Sequence, residues 1–370
     1  MKILAVDIGT GTQDILLFDS EKAVENSVQM VMPAPTVIAA SRVRNATTSM
    51  LPLILTGTNM GGGPVTEAVL AHIEAGLAVY GTAAAVVTFD DDPDVIRNMG
   101  IEIISEDEAN RLHGSHVVLQ DVDLGMVRRA VREFQVIPEW DILAIAVFDH
   151  GNAPPKYSDR KFRFDYLRQH LLDGQSDVMS FVHLSNEVPH YLTRMVAVVE
   201  TVAGQAPLLL TDTAQAAILG SLEDSHVMAQ QCKVVVNLGN EHTLAYHLHG
   251  DTILGMFEHH THMLSKENLE GHLRRLVDGT LDGDQIWREQ GHGGIVVDGG
   301  ENLGFVSAIG PMRSLLLGSS VGPYWAAPHG SMMLAGSFGL VRACSEKFPE
   351  YKEQILKSLG TVGEGLRHSH

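Results

Sequence analysis

The stretch that decides the fold is residues 1–20, MKILAVDIGTGTQDILLFDS. Residues 3–6 (ILAV) form a short apolar run, which predicts a buried strand, and Asp7 follows it. The glycine-rich segment GTGT occupies residues 9–12, and residues 15–18 (ILLF) form a second apolar run. Because two such runs flank a short glycine turn, the stretch predicts a β-hairpin whose first strand ends in a carboxylate.

The turn of this hairpin has the residue types of a phosphate-binding loop. Glycines allow a ligand to approach the backbone, and turn amides with two threonine hydroxyls suit phosphate oxygens. A carboxylate beside bound phosphate holds Mg²⁺ directly or through water, so Asp7 is the predicted metal ligand. The alternative is an ordinary hairpin with a solvated aspartate. The predicted binding residues on this turn are Gly9, Thr10, Gly11, Thr12 and Gln13.

Two common glycine motifs do not fit the turn. The dinucleotide fingerprint G-x-G-x-x-G opens a helix, whereas here Asp14 takes the third glycine position and a strand follows. A Walker loop requires Gly-Lys-Ser/Thr, and the chain contains no Gly-Lys pair. The turn therefore belongs to neither class.

Length and composition limit the class of protein. A chain of 370 residues predicts two domains, and 26 basic against 45 acidic residues give a net charge of −19. This charge argues against nucleic acid or an anionic membrane surface as the main partner. No apolar run reaches membrane-spanning length, and the N-terminus lacks a signal-peptide layout. Cys232 and Cys344 imply no disulfide framework, so we expect a cytoplasmic protein, whose oligomeric state stays open.

Alternating apolar runs and amphipathic stretches predict an α/β domain with a largely parallel sheet. Short apolar runs place further strands at 28–32, 53–55, 84–89, 101–104, 117–119, 142–148 and 208–210. Helical patterns cover 36–50, 94–99, 125–134, 191–202 and 213–222, and another helix begins at Pro64.

Two features are suited to a small anionic substrate. Thr58, Asn59 and the glycines at 61–63 precede a helix N-terminus, which favours anions, although a plain strand–helix turn would look the same. Residues 160–163 (RKFR) form a basic cluster in an acidic chain. The alternative interpretation of that cluster is a solvated charge run.

Asp149 and His150 directly follow residues 142–148, the strongest buried strand after the first. Ligands bind at the carboxyl ends of sheet strands, where a carboxylate or imidazole can act as general base. Consecutive side chains leaving a strand point to opposite sides, so we expect one of the two to face the cleft. We assign the base to Asp149 and keep His150 as the second choice. The alternatives are a capping aspartate and a loop histidine.

The second half of the chain repeats the opening pattern at residues 233–264, KVVVNLGNEHTLAYHLHGDTILGMFEHHTHML. Apolar runs predict strands at 234–236, 243–248 and 252–257, with a turn at 237–240. A strand–turn–strand unit therefore opens each half. The predicted binding residues on the second turn are Asn237, Gly239, Asn240 and Thr243.

DIGTGTQDILLFD resembles the first phosphate loop of the acetate and sugar kinase/heat-shock/actin superfamily, Asp-x-Gly-x-Thr/Ser between two strands. The second loop of that superfamily is Asp-x-Gly-x-x-x-Thr, and Asn237, Gly239 and Thr243 keep its spacing with asparagine in place of aspartate. The resemblance implies an α/β fold of two ribonuclease H-like (actin-like ATPase) domains around a central cleft. We place these domains at 1–204 and 205–370, and the implied cofactors are ATP and Mg²⁺.

Further motifs extend the resemblance over nearly the whole chain, to a prokaryotic family sometimes labelled pyruvate formate-lyase activating enzyme-like. They are LTGTNMGGGP, FDHGNAPP, NLGNEHTLAYHL, FEHHT and AGSFGL. A radical enzyme needs three clustered cysteines for its iron–sulfur centre, which two isolated cysteines cannot provide, so no such cluster is expected. AGSFGL fits the superfamily's closing helix, in which Gly336 and Gly339 allow close packing. The nearest match to its adenine loop is Gly318 to Gly322.

Histidines are concentrated at residues 259–262 (HHTH), and His150 and His292 lie in glycine-flanked turns. With Asp149 they could build a zinc or iron site, or they could be polar cleft residues and satisfied loop histidines. Three functions therefore remain open. They are a Mg-ATP phosphotransferase or ATPase, a metal-dependent hydrolase that uses histidine and aspartate, and a non-catalytic nucleotide-binding regulatory protein.

Overall fold

A computed structural model describes residues 1–360 of the protein. In this part of the chain, sixteen strands form three sheets. The strands are β1 (Lys2–Ile8), β2 (Thr12–Asp19), β3 (Val28–Pro33), β4 (Leu53–Gly57), β5 (Val79–Thr82), β6 (Ile101–Ile104), β7 (Ser115–Leu119), β8 (Ile142–Val147), β9 (His183–Leu184), β10 (Leu208–Thr211), β11 (Cys232–Leu238), β12 (His242–His249), β13 (Thr252–His260), β14 (Gly293–Val296), β15 (Phe305–Ile309) and β16 (Tyr324–Trp325).

Fourteen α-helices connect and cover these strands within the described residues. They are α1 (Pro35–Thr48), α2 (Pro64–Glu74), α3 (Ala83–Val86), α4 (Pro93–Met99), α5 (Glu106–Ala109), α6 (Leu124–Glu133), α7 (Asp159–Leu172), α8 (Thr193–Thr201), α9 (Thr213–Ser221), α10 (Ser225–Met228), α11 (Lys266–Asp278), α12 (Gly283–Arg288), α13 (Ala335–Lys347) and α14 (Lys352–Ser358). None of the helices in residues 1–360 is long and apolar enough to cross a membrane.

The first and last sheets share one topology. The first sheet has the order β3-β2-β1-β8-β10-β9, with β1, β2 and β3 antiparallel and β1, β8 and β10 parallel. The last sheet has the order β14-β13-β12-β11-β15-β16, with β11, β12 and β13 antiparallel and β11, β15 and β16 parallel. Three antiparallel strands followed by two parallel ones, twice in one chain, form two ribonuclease H-like domains. The predicted fold class is confirmed.

The first sheet is buried on both faces, which explains its continuous apolar strands. Ile3 and Ala5 pack into the core on one side, where α9 and α13 lie, and Leu4 and Val6 pack into the core on the other side. Because successive side chains of a strand alternate between faces, an uninterrupted apolar run is what a two-sided core requires. The prediction of a buried first strand is confirmed.

An additional α/β unit is inserted between β3 and β8. Its four parallel strands have the order β6-β5-β4-β7 and carry their own apolar core with α1 and α2. The strand predicted at 84–89 is wrong, because β5 ends at Thr82 and Ala83–Val86 forms α3. Three successive alanines begin this segment, and alanine has the highest helix propensity.

The two domains are joined by crossing helices. Gly220 of α9 and Gly339 of α13 lie at the crossing, where a Cβ on Gly339 would stand 2.1 Å from the Ala216 carbonyl oxygen. This confirms the close packing predicted for Gly339. The proposed boundary after residue 204 falls too early, because β10 hydrogen-bonds to β8 and belongs to the first sheet. The chain crosses to the second domain at α9, and α13 returns to pack on β1 and β2.

Candidate functional site

The two strand–turn–strand units meet at one cleft of about 530 Å³. Their turns have the same internal hydrogen bond: the Gly9 amide donates to the Thr12 carbonyl at 2.9 Å, and the Gly239 amide donates to the His242 carbonyl at 2.9 Å. The turns also face each other, since a Cβ on Gly11 would lie 2.6 Å from the side-chain nitrogen of Asn240. The predicted pair of matching turns around a common cleft is confirmed.

Most of the predicted turn residues line this cleft, and three do not. The cleft is lined by Asp7, Gly9, Thr10, Thr12, Asn237, Gly239 and Asn240, whereas Gly11, Gln13 and Thr243 are not among its lining residues. The Gln13 amide donates instead to the Pro33 carbonyl at 3.0 Å, because alternation along β2 turns this side chain away from the cleft.

Thr243 is fully buried and supports the second turn through a neighbouring side chain. Its hydroxyl lies 2.9 Å from the hydroxyl of Thr261, which donates to the Gly239 carbonyl at 2.9 Å. Thr243 therefore fixes the conformation of the second turn.

Asp14 is a cleft residue that sequence reasoning did not assign. It pairs with Asp7 across the hairpin, so the two side chains lie on the same face, and both residues line the cleft. The Thr213 hydroxyl donates to Asp7 Oδ1 at 2.5 Å, whereas the buried Asp14 Oδ1 has no hydrogen-bond partner among residues 1–360. Two neighbouring carboxylates, one with an unsatisfied buried oxygen, form a suitable pair of ligands for a divalent cation.

Burial and mutual repulsion disfavour ionisation of this carboxylate pair. Burial, with the nearby Asp212 carboxylate, raises the pKa of Asp7 to about 7, although the hydrogen bond from Thr213 opposes the rise. Burial and the charge of Asp7 raise the pKa of Asp14 to about 8. A bound cation would favour the ionised form of both side chains.

Asp149 is held by the backbone on both of its oxygens. The Gly151 amide donates to Oδ1 at 2.9 Å, and the Met195 amide, in the first turn of α8, donates to Oδ2 at 2.9 Å. Burial raises the pKa of Asp149 to about 6 against the effect of these two bonds. The expectation that one residue of the pair would face the cleft is wrong, because Asp149 and His150 both line it. β8 ends at Val147, so strand alternation no longer applies to them.

The basic cluster at residues 160–163 does not line the cleft. Arg163 is 2% exposed and pairs with Asp212 at 2.8 Å and with Glu258 at 3.0 Å, which ties α7 to the second domain. Arg160 donates to the Gly291 carbonyl at 3.0 Å, and Lys161 lies 5.7 Å from the centre of the Trp287 ring. The cluster therefore does not provide the anion site that its sequence suggested.

The electrostatic character of the cleft is acidic. Eight carboxylate residues line it: Asp7, Asp14, Asp90, Asp91, Asp121, Asp149, Asp159 and Glu241. Arg194 is the one arginine or lysine among the described lining residues, and it is bonded to both oxygens of Asp121 at 2.7 and 2.8 Å. Any phosphate ligand therefore needs an added cation to enter this cleft.

Asn59 and Gly61 to Gly63 line the cleft at the start of α2, and their binding of an anion stays a prediction. Gly63 has φ +55°, and a Cβ there would lie 3.3 Å from the methyl group of Thr10, so this loop contacts the first turn. Thr58 is not a lining residue, and its hydroxyl lies 3.5 Å from that of Thr201. The inserted unit therefore supplies one wall of the cleft.

Four histidines converge at one wall of the cleft. The rings of His150 and His292 are 5.1 Å apart, and His292 lies 4.8 Å from both His242 and His260. Burial lowers the pKa of His150, His242 and His292 well below the usual range, so these rings are neutral at pH 7. Sequence reasoning named His150, His260 and His292, and it missed His242, which begins β12 directly after the second turn.

The predicted adenine loop is not part of the cleft. Gly318 to Gly322 are absent from the described lining residues, whereas Gly310, Pro311, Met332 and Met333 are present. Gly310 has φ +104°, and a Cβ there would lie 2.3 Å from the Leu238 carbonyl oxygen, so this close approach requires glycine.

Comparison with protein families finds one match. Residues 60–315 match the model of the family described as "Putative pyruvate format-lyase activating enzyme (DUF1786)". The chain matches no curated protein.

Several solved structures are similar over most of the chain. The ROK hexokinase from Thermus thermophilus is 12% identical, with a TM-score of 0.29, over 92% of this chain and 98% of its own. An inorganic polyphosphate/ATP-glucomannokinase from Arthrobacter sp. strain KM is 9% identical, with a TM-score of 0.32, over 93% and 99%. The ethanolamine utilization protein EutJ from Carboxydothermus hydrogenoformans is 12% identical, with a TM-score of 0.32, over 92% and 89%. Values this low carry no argument about activity.

Proposed function

This chain belongs to the DUF1786 family, and we propose that it is a Mg-ATP-dependent phosphotransferase or ATPase. The observation that carries the proposal is the pair of matching turns, residues 9–12 and 239–242, which face each other across one cleft above Asp7. Radical activation, which the family's description names, is not proposed, because the chain has two cysteines and a radical iron–sulfur centre needs three.

The two turns would hold the phosphates from opposite sides. Free turn amides and the hydroxyls of Thr10 and Thr12 suit phosphate oxygens on the first turn, and Asn240 adds a side-chain amide donor on the second. Asn237 occupies the position at which the superfamily has aspartate, so it contributes a hydrogen bond without charge. The negative charge that the phosphates meet is then concentrated at the first turn.

Asp7 and Asp14 fit a magnesium site. They are neighbouring carboxylates with hard oxygen ligands, and the buried Asp14 Oδ1 has no other partner. Since Arg194 is already paired with Asp121, a divalent cation is the charge that would offset both the carboxylates and the phosphates. Bound Mg²⁺ would supply the charge stabilisation that phosphoryl transfer requires.

Asp149 is our proposed general base. Its two backbone hydrogen bonds fix the carboxylate in one orientation and leave a second lone pair on each oxygen. A pKa of about 6 keeps it ionised at neutral pH and close to the range in which proton acceptance is efficient. It can therefore receive the proton of an acceptor hydroxyl or of water.

The nucleobase and the acceptor have candidate sites among the lining residues. Gly310, Pro311, Met332 and Met333 are apolar or small lining residues that suit a nucleobase. Asp90, Asp91 and Asp159 also line the cleft. These carboxylates favour a neutral polar or cationic acceptor. We therefore propose a small anionic substrate only for the protein with a metal ion bound in the cleft.

The two free cysteines are compatible with the cytoplasmic location that we propose.

The test is a single-turnover assay with γ-labelled ATP and Mg²⁺, with and without added hydroxyl compounds. We expect the label to leave ATP in the wild-type chain and to remain on ATP in Gly336→Ala. A Cβ at this position would lie 1.9 Å from Asp7 Oδ2 and would displace that carboxylate. Binding of ATP without turnover would favour the non-catalytic regulatory alternative.

A further inference from the structure

The four converging histidines come from both domains. His150 follows β8 of the first domain, whereas His242, His260 and His292 lie on β12, at the end of β13 and before β14 of the second. One ring nitrogen of His150, of His242 and of His292 lies within 4.8 Å of the others, and His150, His242 and His260 line the cleft. The cluster is therefore accessible from the proposed nucleotide site and spans the domain interface.

An outer partner fixes the tautomer of one of these rings. A carbonyl oxygen only accepts, and the Gln290 carbonyl lies 2.6 Å from His260 Nδ1, so that nitrogen carries a proton. Glu258 Oε1 lies 2.8 Å from His292 Nδ1, although these two atoms do not have the geometry of a hydrogen bond. The Nε2 atoms of His260 and His292 face each other.

These two nitrogens lie only 3.2 Å apart. Two imidazole nitrogens at this distance share either a proton or a metal ion. Two nitrogens separated by 3.2 Å and each bonded to one metal ion at the usual zinc–nitrogen length subtend an angle of about 100°. That angle is close to tetrahedral.

The remaining rings favour a metal ion over a shared proton. A proton would need only His260 and His292, whereas the cluster also presents His150 and His242. Neither of these side chains has a hydrogen-bond partner within residues 1–360. Phe148 stacks on the His242 ring at 4.3 Å and contacts the edge of the His150 ring at 4.7 Å, which limits the rotation of both. A cluster of imidazole nitrogens suits zinc or iron(II).

The groups next to the outer ring nitrogens of His260 and His292 are arranged like the outer coordination shell of a metal site. Metal-bound histidines usually donate their second ring nitrogen to a carboxylate or a carbonyl, as His260 is placed to do here, and a carboxylate lies beside His292. Glu258 is itself fixed by two hydrogen bonds from Arg163, at 3.1 and 3.0 Å. The carboxylate beside His292 is therefore held by a buried network that bridges the two domains.

A second group, His259, His272 and Glu289, lacks this property. Arg275, which can only donate, bonds to His272 Nδ1 at 2.8 Å, so the proton of the neutral ring is on Nε2. That nitrogen is 3.3 Å from a carboxylate oxygen of Glu289. His272 therefore presents no lone pair to a metal ion.

We propose that His150, His242 and His292 bind one divalent transition-metal ion at the wall of the cleft, with the His260 ring beside them, 3.2 Å from His292. The ion is separate from the Mg²⁺ proposed at Asp7 and Asp14, because its ligands are nitrogens rather than carboxylate oxygens. Tetrahedral zinc sites have nitrogens about 3.4 Å apart, so binding would draw the rings together from their present separation of up to 4.8 Å. Since the ligands come from both domains, the bound metal ion would also hold the two sides of the cleft together.

The experiment is metal titration of the tag-free, chelator-treated chain with Zn²⁺, followed by calorimetry, and with Co²⁺, followed by visible absorption. We expect about one ion per chain and the intense visible bands of tetrahedral cobalt. His242→Gln and His292→Gln should each lower zinc affinity by at least tenfold. Because His292 is buried, far-ultraviolet circular dichroism of the metal-free variants checks folding, and the partly exposed His242 provides the second variant.

His262→Gln is the matched control, because His262 is exposed and its ring is 5.6 Å from that of His260 on the far side of the proposed ligands. It should retain wild-type zinc affinity and the cobalt spectrum. Zinc affinity equal to wild type in both folded ligand variants, or no stoichiometric zinc binding by the wild-type chain, would overturn the proposal. ATP affinity measured in the same metal-free samples reports on the proposed nucleotide site separately.

Discussion

Replacement of Asp14 by asparagine should stabilise the metal-free protein at pH 8 and remove its response to Mg²⁺. Burial raises the pKa of Asp7 and Asp14 from 3.8 to about 7 and about 8; Asp212 adds to the rise at Asp7, and the charge of Asp7 adds to the rise at Asp14. An acid whose pKa is higher in the folded than in the unfolded state retains its proton longer when folded. Its contribution to stability is full below about pH 4 and is lost as the pH rises through 7 to 8.

The magnitude follows from the pKa interval. For Asp7, the interval from 3.8 to about 7 corresponds to on the order of 4 kcal/mol of unfolding free energy lost by pH 8. The contribution of Asp14 is not additive with this value, because the two carboxylates share one repulsion. Asparagine at position 14 removes the contribution of Asp14 itself, whereas the contribution of Asp7, which burial and Asp212 set, remains.

The assay is urea unfolding at pH 5 and pH 8, in EDTA and in Mg²⁺, with the wild type and Asp14→Asn compared at each condition. In EDTA the wild type should lose several kcal/mol more than the variant between the two pH values. Magnesium at pH 8 should restore the wild type and leave the variant unchanged. Asp19→Asn, at the far end of the same hairpin, is the control and should keep the wild-type magnesium response. Equal pH dependence, or equal magnesium response, in wild type and Asp14→Asn would refute the reasoning.

Three further predictions concern the base, the buried ion pairs and the helix crossing. Asp149→Asn should lower turnover by roughly a hundredfold and change ATP affinity far less. His150→Gln is measured in the same assays. Unchanged turnover in Asp149→Asn would remove Asp149 from the mechanism. Arg163→Ala should cost about 3–5 kcal/mol in chemical unfolding because Glu258 and Asp212 lose their partner, whereas the exposed Lys161→Ala should cost less than about 1 kcal/mol. Gly339→Ala should lower stability by about 1–3 kcal/mol or more in thermal unfolding, because its Cβ would meet the Ala216 carbonyl, and Gly304→Ala, with open space around it, should not.

Local sequence was sufficient to predict the repeated units of the fold. The runs at 3–6 and 15–18 and the glycines between them specify a hairpin without distant information, and Asn237, Gly239 and Thr243 repeat the pattern at the start of the second domain. The position of β10 in the first sheet was not predictable in the same way. Its membership depends on pairing with β8, more than sixty residues earlier in the chain, which no local pattern records.

The missed site residues share one cause, which is dependence on register or on distant partners. Asp14 becomes a partner of Asp7 only through the hairpin register, and His242 meets His292 because β13 pairs with both β12 and β14. Arg163 was assigned to a basic cluster, because its carboxylate partners lie 49 and 95 positions away in sequence. Side-chain convergence of this kind arises from the tertiary fold.

The central claim is a magnesium-dependent nucleotide site between the two turns. Its most direct test is calorimetric titration of the wild-type chain and Asp7→Asn with a non-hydrolysable ATP analogue, in Mg²⁺ and in EDTA. The account predicts binding by the wild type in Mg²⁺, little or none in EDTA, and loss of the magnesium-dependent part in Asp7→Asn. Absence of affinity in the wild type under both conditions, or equal affinity with and without Mg²⁺, would contradict it and assign the cleft to a different ligand.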